Sequence, residues 1–182
     1  YVAARVRATL PDVRLIVLLR NPVDRAFSAY QMGRRNGIDQ AATFEEALAR
    51  EETILANEAG RNRDDPQAYS YEYHNLCYRA RGLYSEQLSR WLDRFPREQL
   101  LILASEFLFL QPERVLLQVE QFLGLPEWVP ASLTPQNTGD YTSELAESTR
   151  QELERFYEPE VARLETLTGV RFDWFKRKRG GD

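Results

Sequence analysis

The chain has 182 residues, with apolar and charged residues at 43% and 29%, the balance of an ordinary globular protein and enough length for one domain with a full core. Its 24 basic and 28 acidic side chains leave a net charge of -4, which argues against a nucleic-acid partner without excluding a local basic pocket for a small anion. A single cysteine, Cys77, rules out an internal disulfide, and no apolar run approaches the ~18 residues of a transmembrane span.

A disulfide-free chain fits a reducing cytoplasm, and a secretory-pathway lumen is also compatible with it. Cys77 has no partner motif and reads as a small core residue rather than a nucleophile. The opening YVAARVRATLPDVRL has no signal-peptide layout. It starts inside a helical pattern without an initiator Met, so the chain is read as lacking an N-terminal portion.

Arg5 to Leu10 reads as the end of a helix, broken by Pro11. Leu15, Ile16, Val17, Leu18 and Leu19 form a continuous apolar run, the pattern of a strand buried on both faces of a parallel sheet. Asn21 fits an N-cap and Pro22 the first position of a helix that runs to about Gly33, with Asp24 favourably placed in its first turn. Thr43 and Glu46 make a capping box for a helix from Phe44 to about Asn57. Glu58 to Asn75 is polar and aromatic and reads as a long surface loop.

Tyr84, Leu88, Trp91, Leu92 and Phe95 then fall on one face of an amphipathic helix ended by Pro96. Leu100 to Leu103 predicts a second short buried strand, closed by Ser105 and Glu106. Pro112 starts another helix, with Val115, Leu116, Val119, Phe122 and Leu123 on one face and Gly124 as its stop. The last helical region spans Ser143 to Thr168, with Leu153, Phe156, Tyr157, Val161 and Leu164 inward and Pro159 expected to kink or split it. This alternation predicts an α/β fold, a parallel sheet flanked by helices and helix-rich over this length.

The junction LIVLLRNPVDRAFSAY, Leu15 to Tyr30, puts two assets at one point. A helix N-terminus offers unpaired N–H groups and about half a positive charge. Arg20 adds a planar donor fork suited to a phosphate. Ser28 lies seven positions after Asn21, two helical turns on, where its hydroxyl points back toward the strand end. In open α/β sheets such crevices take ligands. The same spacing also serves an Arg20 paired with Asp24 or another carboxylate, and a Ser28 that simply faces a neighbouring helix.

The segment LIVLLRNPVDRAFSAYQMGRR closely resembles the 3′-phosphate-binding segment of sulfotransferases, in particular the heparan-sulfate-type and related bacterial ones. GLYSEQLSRWLDRFPREQLLILASEFLFLQPERVLLQVEQFLGL, Gly82 to Leu125, resembles the family's middle section. NTGDYTSELAESTRQELERFYEPEVARLETLTGVRFDW, Asn137 to Trp174, resembles its closing section. The resemblance implies a P-loop-NTPase-like sulfotransferase domain over residues 1–182. It implies transfer of a sulfuryl group from 3′-phosphoadenosine 5′-phosphosulfate (PAPS) to a hydroxyl or amine of a small-molecule or carbohydrate acceptor. Arg20 and Ser28 would hold the nucleotide's 3′-phosphate, with Thr138, Gly139 and Tyr141 closing over the nucleotide. Thr138 replaces the basic residue usual in that loop, and Asp140 adds a negative charge.

The family's phosphosulfate-binding loop and its general base belong upstream of Leu15, and neither is identified in this chain. No catalytic residue is therefore assigned. An unpaired sheet edge exposing apolar surface beside Leu15–Leu19 is expected in their absence. His74 reads as a surface or half-buried residue rather than the base, and Glu106 as a structural hydrogen-bond acceptor for loop N–H groups. Arg61, Arg63, Tyr69 and Tyr71 mix basic and aromatic groups, either as an acceptor-binding surface or as a solvated loop packed by its tyrosines. No cluster has metal-ligand spacing, so no metal is expected. The alternative to an enzyme is a non-catalytic sulfotransferase-like module that binds a nucleotide or a protein. Thr138 and Asp140 favour that alternative.

Overall fold

The computed structural model describes residues 2–61, 69–130, 132–133 and 144–175. Among these are α1 (Val2–Thr9), β1 (Leu15–Leu19), α2 (Pro22–Arg35), α3 (Phe44–Arg61), α4 (Tyr71–Leu76), α5 (Tyr84–Leu92), β2 (Leu100–Ala104), α6 (Ser105–Leu110), α7 (Pro112–Leu123) and α8 (Glu147–Thr168). Short 3₁₀ turns occupy Ala80–Gly82 and Arg97–Gln99. The chain gathers into two compact units. The first comprises the described residues of Tyr1–Asn21, Ser85–Thr138 and Leu164–Phe172, the second those of Pro22–Tyr84, Gly139–Arg163 and Asp173–Asp182.

The first unit is built on the parallel pairing of β1 with β2, in register from Leu15 opposite Leu100 to Leu19 opposite Ala104. The Gln99 side chain secures this register from outside the ladder. Its Nε2 donates to the carbonyls of Pro11 (3.0 Å) and Val13 (2.9 Å) on the approach to β1. Arg97 donates through Nε and Nη2 to the Thr168 carbonyl at the end of α8, both at 3.2 Å, a cation placed where a helix leaves its carbonyls unpaired. Pro112 opens α7 and Gly124 closes it with φ 72°, a left-handed position that glycine adopts without steric cost.

β1 departs from the expected burial on both faces. Ile16 is 44% exposed and Leu18 48% exposed, whereas Leu19 is buried. Among the described residues β1 pairs only with β2, and Ile16 and Leu18, alternate positions of the run, lie on its open face. At the other strand, Ser105 and Glu106 do not simply end β2 but begin α6 directly.

The second unit packs Val23, Ala26, Phe27 and Tyr30 of α2 against Phe44 and Ala47 of α3, Tyr78, and Leu153, Tyr157 and Val161 of α8. Phe27 meets Phe44 edge-on at 5.4 Å between ring centroids, and Tyr30 meets Tyr78 edge-on at 5.9 Å. Burying each such side chain stabilises by about 1.5–3 kcal/mol, and edge-to-face geometry adds to that.

Three further expectations change. Glu58 to Asn75 is not all loop: α3 continues to Arg61 and α4 begins at Tyr71, capped by Ser70, whose hydroxyl accepts from the Tyr73 amide at 3.2 Å. The last helix starts at Glu147 and runs unbroken through Pro159. Pro159 and Arg155, one turn back, are both exposed, so the carbonyl that the proline leaves without a donor lies in a solvent-facing turn. Phe156 is exposed rather than inward, and its ring lies 4.9 Å beneath the Arg79 guanidinium.

Candidate functional site

The first unit carries Arg20 at the carboxyl end of β1, half-buried. β2 ends opposite, at Ala104, so the two chains leave the sheet side by side as Arg20 and Ser105. Asn21 follows and is 8% exposed. Its amide donates to Glu106 Oε1 at 2.7 Å. Glu106 thus takes the structural acceptor role expected of it. At this sheet end a guanidinium suited to a phosphate oxyanion stands one residue from a firmly held amide.

In the second unit, α2 starts at Pro22, as the Asn21–Pro22 pair predicts, with Asp24 in its first turn. Ser28 stands on its second turn, half-buried. Several contacts fix α2. Asp24 pairs with Arg150 at 2.9 Å, the Arg25 guanidinium donates to the Tyr78 carbonyl, and the Tyr30 hydroxyl donates to the Ala41 carbonyl at 3.0 Å. Burial pulls the pKa of Arg25 below its ordinary value, against the opposing influence of Tyr84 and Tyr157.

Beneath α2 lies a buried polar frame that sequence reasoning missed. Asp39 accepts from Arg50 (2.6 Å), from the Tyr78 hydroxyl (2.6 Å) and from the Ala41 amide (2.8 Å). Burial alone would raise its pKa, but the donors from Arg50, Tyr78 and Ala41 hold it below the ordinary carboxylate value. Tyr78 is pushed well above a normal phenol, first by burial and then by Asp39. Glu51, fully buried, gathers the amides of Tyr78, Arg79 and Ala80 at 2.6–2.8 Å. The signal was present: Glu51 and Glu58 fall on the same helical stripe as Phe44, Ala47 and Ile54, and a carboxylate on an apolar stripe must find donors.

Tyr69 and Tyr71, the aromatic candidates for acceptor binding, are 66% and 54% exposed. Asn75 Nδ2 joins them, donating to the Tyr69 hydroxyl (3.4 Å) and the Tyr71 carbonyl (2.9 Å). Tyr69 also stacks on His74 at 4.7 Å. His74 is exposed, and its Nδ1 sits 2.9 Å from the Ser70 carbonyl. A carbonyl only accepts, so Nδ1 carries the proton and Nε2 is an acceptor in the neutral ring. Arg61 is the last residue of α3. Arg63, Thr138, Gly139, Asp140 and Tyr141 lie outside the described residues.

Cys77 is buried, and burial, reinforced by the Glu51 and Glu58 carboxylates, pushes its thiol up to about 12. It is a core residue, not a thiolate nucleophile. Among the described residues, no group of three or more His, Cys, Asp or Glu is placed to hold a metal ion. No described helix is long and apolar enough to cross a membrane.

Residues 4–138 match the sulfotransferase domain family. The chain is 34% identical over 123 residues to the bifunctional heparan sulfate N-deacetylase/N-sulfotransferase 1 of Xenopus laevis, covering 66% of this chain and 12% of that protein. It is 35% identical over 127 residues to the bifunctional heparan sulfate N-deacetylase/N-sulfotransferase 2 of Homo sapiens, covering 68% of this chain and 13% of that protein. It therefore spans only about an eighth of these curated relatives. Its structure is similar to the crystal structure of a sulfotransferase from Alicyclobacillus acidocaldarius, with a TM-score of 0.74 and 35% identity, covering 96% of this chain and 62% of that one. With the parallel β1–β2 pair, the flanking helices and these matches together, the chain belongs to the sulfotransferase domain family and has its α/β fold.

Proposed function

We propose that this chain is a sulfotransferase domain, residues 1–182, that moves a sulfuryl group from PAPS to a hydroxyl or amine acceptor. The observation that carries the reading is Arg20 at the carboxyl end of a parallel strand, immediately before α2, in a chain of this family. Arg20 supplies a charged fork and Ser28 a hydroxyl to the nucleotide's 3′-phosphate. Thr138, Gly139 and Tyr141 close over the nucleotide. Arg61, Arg63, Tyr69 and Tyr71 receive the acceptor, the tyrosines offering faces on which a sugar ring packs. The relatives' names make an amine on a heparan-sulfate-type carbohydrate the first acceptor to try.

In the reaction, the acceptor oxygen or nitrogen bonds to sulfur and the bond from sulfur to the bridging phosphate oxygen breaks. The electron pair leaves with adenosine 3′,5′-bisphosphate, and the acceptor's proton passes to a base. The share of this chain's residues is to hold and orient the nucleotide by its 3′ end, a contribution of positioning and charge. A cytoplasmic setting suits a chain whose single cysteine is a buried thiol, and a secretory-pathway lumen suits it equally.

The test is nucleotide discrimination by the full-length protein. Adenosine 3′,5′-bisphosphate is expected to bind more tightly than adenosine 5′-monophosphate. Equal affinities overturn the assignment of Arg20 and Ser28. One feature favours a second reading, a module that binds nucleotide or protein without turnover: Thr138 stands where the family resemblance implies a basic residue. Binding without any transfer from labelled PAPS, across sugar, amine and phenol acceptors, supports that reading instead.

A further inference from the structure

We infer that Glu106 is a positioning residue for the phosphate-binding arginine: by accepting the Asn21 amide it fixes the backbone that carries Arg20. The inference rests on the reading of Arg20 as the ligand of the 3′-phosphate. It begins from where the sheet ends. Leu19 opposite Ala104 is the last pair of the ladder, and the chain after Ala104 turns at once into α6. Among the described residues, no strand continues opposite Asn21 beyond this point. Asn21 is 8% exposed, so water does not replace that partner, and a buried amide left unpaired is costly. Glu106, in the first turn of α6, reaches across from the neighbouring chain and closes this gap at 2.7 Å. Bonds of this kind to a carboxylate are among the stronger ones.

The bond lies one peptide beyond Arg20, which gives it leverage. A guanidinium sits about 6 Å out from its own backbone, so a swing of about 15° there moves the donor fork by about 1.5 Å. Binding constellations tolerate about 0.5 Å, and a misplacement of about 1 Å can cost about a hundredfold. A hydrogen bond that holds the peptide after Arg20 is thus a device for aiming the arginine. Reach decides this role: glutamate spans the gap, and glutamine presents the same Oε1 without the charge. Aspartate keeps the charge but falls one methylene short.

The experiment measures affinities of the full-length protein for adenosine 3′,5′-bisphosphate and adenosine 5′-monophosphate, in the wild type and in Glu106→Gln, Glu106→Asp and Glu106→Ala. Thermal unfolding checks that each variant is folded. A purely structural glutamate would alter both affinities alike, so the readout is their ratio. Glu106→Ala and Glu106→Asp are expected to lose about tenfold or more of the preference for the 3′-phosphate, and Glu106→Gln to keep it within about threefold. Should the alanine variant fail to fold, the aspartate and glutamine variants carry the comparison. Full preference retained by folded Glu106→Asp, or preference lost equally in Glu106→Gln and Glu106→Asp, overturns the inference while leaving the Arg20 assignment standing. A wild-type protein without any preference overturns both.

Discussion

Gly82 and Tyr157 compete for the same space: a Cβ on Gly82 would lie 2.6 Å from the Tyr157 hydroxyl oxygen and 2.8 Å from Cε1 and Cζ of its ring. Tyr157 has no room to yield. It is fully buried in the core of the second unit, and its hydroxyl donates to the Arg79 carbonyl at 2.7 Å. Gly82→Ala must displace the ring or the 3₁₀ turn, and overpacking of this kind costs about 1–3 kcal/mol. At about 2–4 °C per kcal/mol for a chain of this size, thermal unfolding should shift down by several degrees. An unchanged melting temperature would show that Tyr157 is not held where it is found.

The Asp39 cluster gives a pH-dependent contribution with a definite sign. Its folded pKa is depressed, so its contribution is fully present above the unfolded aspartate value of about 4 and is lost as pH falls through the lower folded value. Asp39→Asn at neutral pH leaves Arg50 without its partner. Breaking a buried pair costs about 3–5 kcal/mol, and the low end is expected because the Arg50 side chain is 34% exposed. Urea unfolding should show this gap at pH 7 and a narrowing gap as the pH drops below about 4. A gap independent of pH would mean that the carboxylate charge is not what stabilises the cluster.

What was legible in the sequence followed from local rules. The Leu15–Leu19 strand, the start of α2 at Pro22, the start of α7 at Pro112 and its stop at Gly124 all rest on apolar runs or on the special backbone of proline and glycine. Burial of Tyr84, Leu88 and Phe95 followed from helical spacing. The contacts that were not legible depend on partners far away in the chain. Asp39 meets Tyr78, and Asn21 meets Glu106 across a separation of 85 residues, and no local period announces either. The burial of β1 on both faces was overread because an apolar run reports composition, not which elements cover each face of a strand. The start of α4 was missed because its cap, Ser70, sits in a tyrosine-rich stretch without an apolar period. The place of Arg20 at the end of β1 was legible because it directly follows a five-residue apolar run, whereas the bond from Asn21 to Glu106 was legible only as a bond to some loop amide.

Arg20 itself should govern nucleotide preference. Losing a charge-assisted hydrogen bond costs about 1.5–3 kcal/mol, roughly ten- to a hundredfold in affinity. Arg20→Ala is expected to erase most of the discrimination between adenosine 3′,5′-bisphosphate and adenosine 5′-monophosphate while changing the affinity for the latter little. Arg20→Lys keeps the charge without the planar fork and should fall between wild type and alanine. Ser28→Ala removes one neutral hydroxyl donor and should cost less, about 0.5–1.5 kcal/mol. Isothermal titration with both nucleotides checks all three. An alanine variant that keeps the full preference would remove Arg20 from the site.

His74 is the single histidine of the chain and therefore the obvious residue to suspect as a general base, yet its surroundings describe another role. It is exposed on α4, its Nδ1 proton is committed to the Ser70 carbonyl at 2.9 Å, and its ring is stacked against Tyr69. A general base contributes about 10²–10⁴-fold to the rate. His74→Ala should instead leave kcat of the full-length enzyme within about tenfold. The stack still predicts a measurable effect of a different kind: without the imidazole, the Tyr69 ring loses the face that orients it, so the loss should fall on the KM for the acceptor and leave the KM for PAPS unchanged. Tyr69→Ala should show the same pattern, since both variants disturb one aromatic surface. Steady-state kinetics with each substrate varied in turn separate the outcomes. A thousandfold fall in kcat for folded His74→Ala, with both KM values intact, would make His74 the base and move the reacting centre to α4.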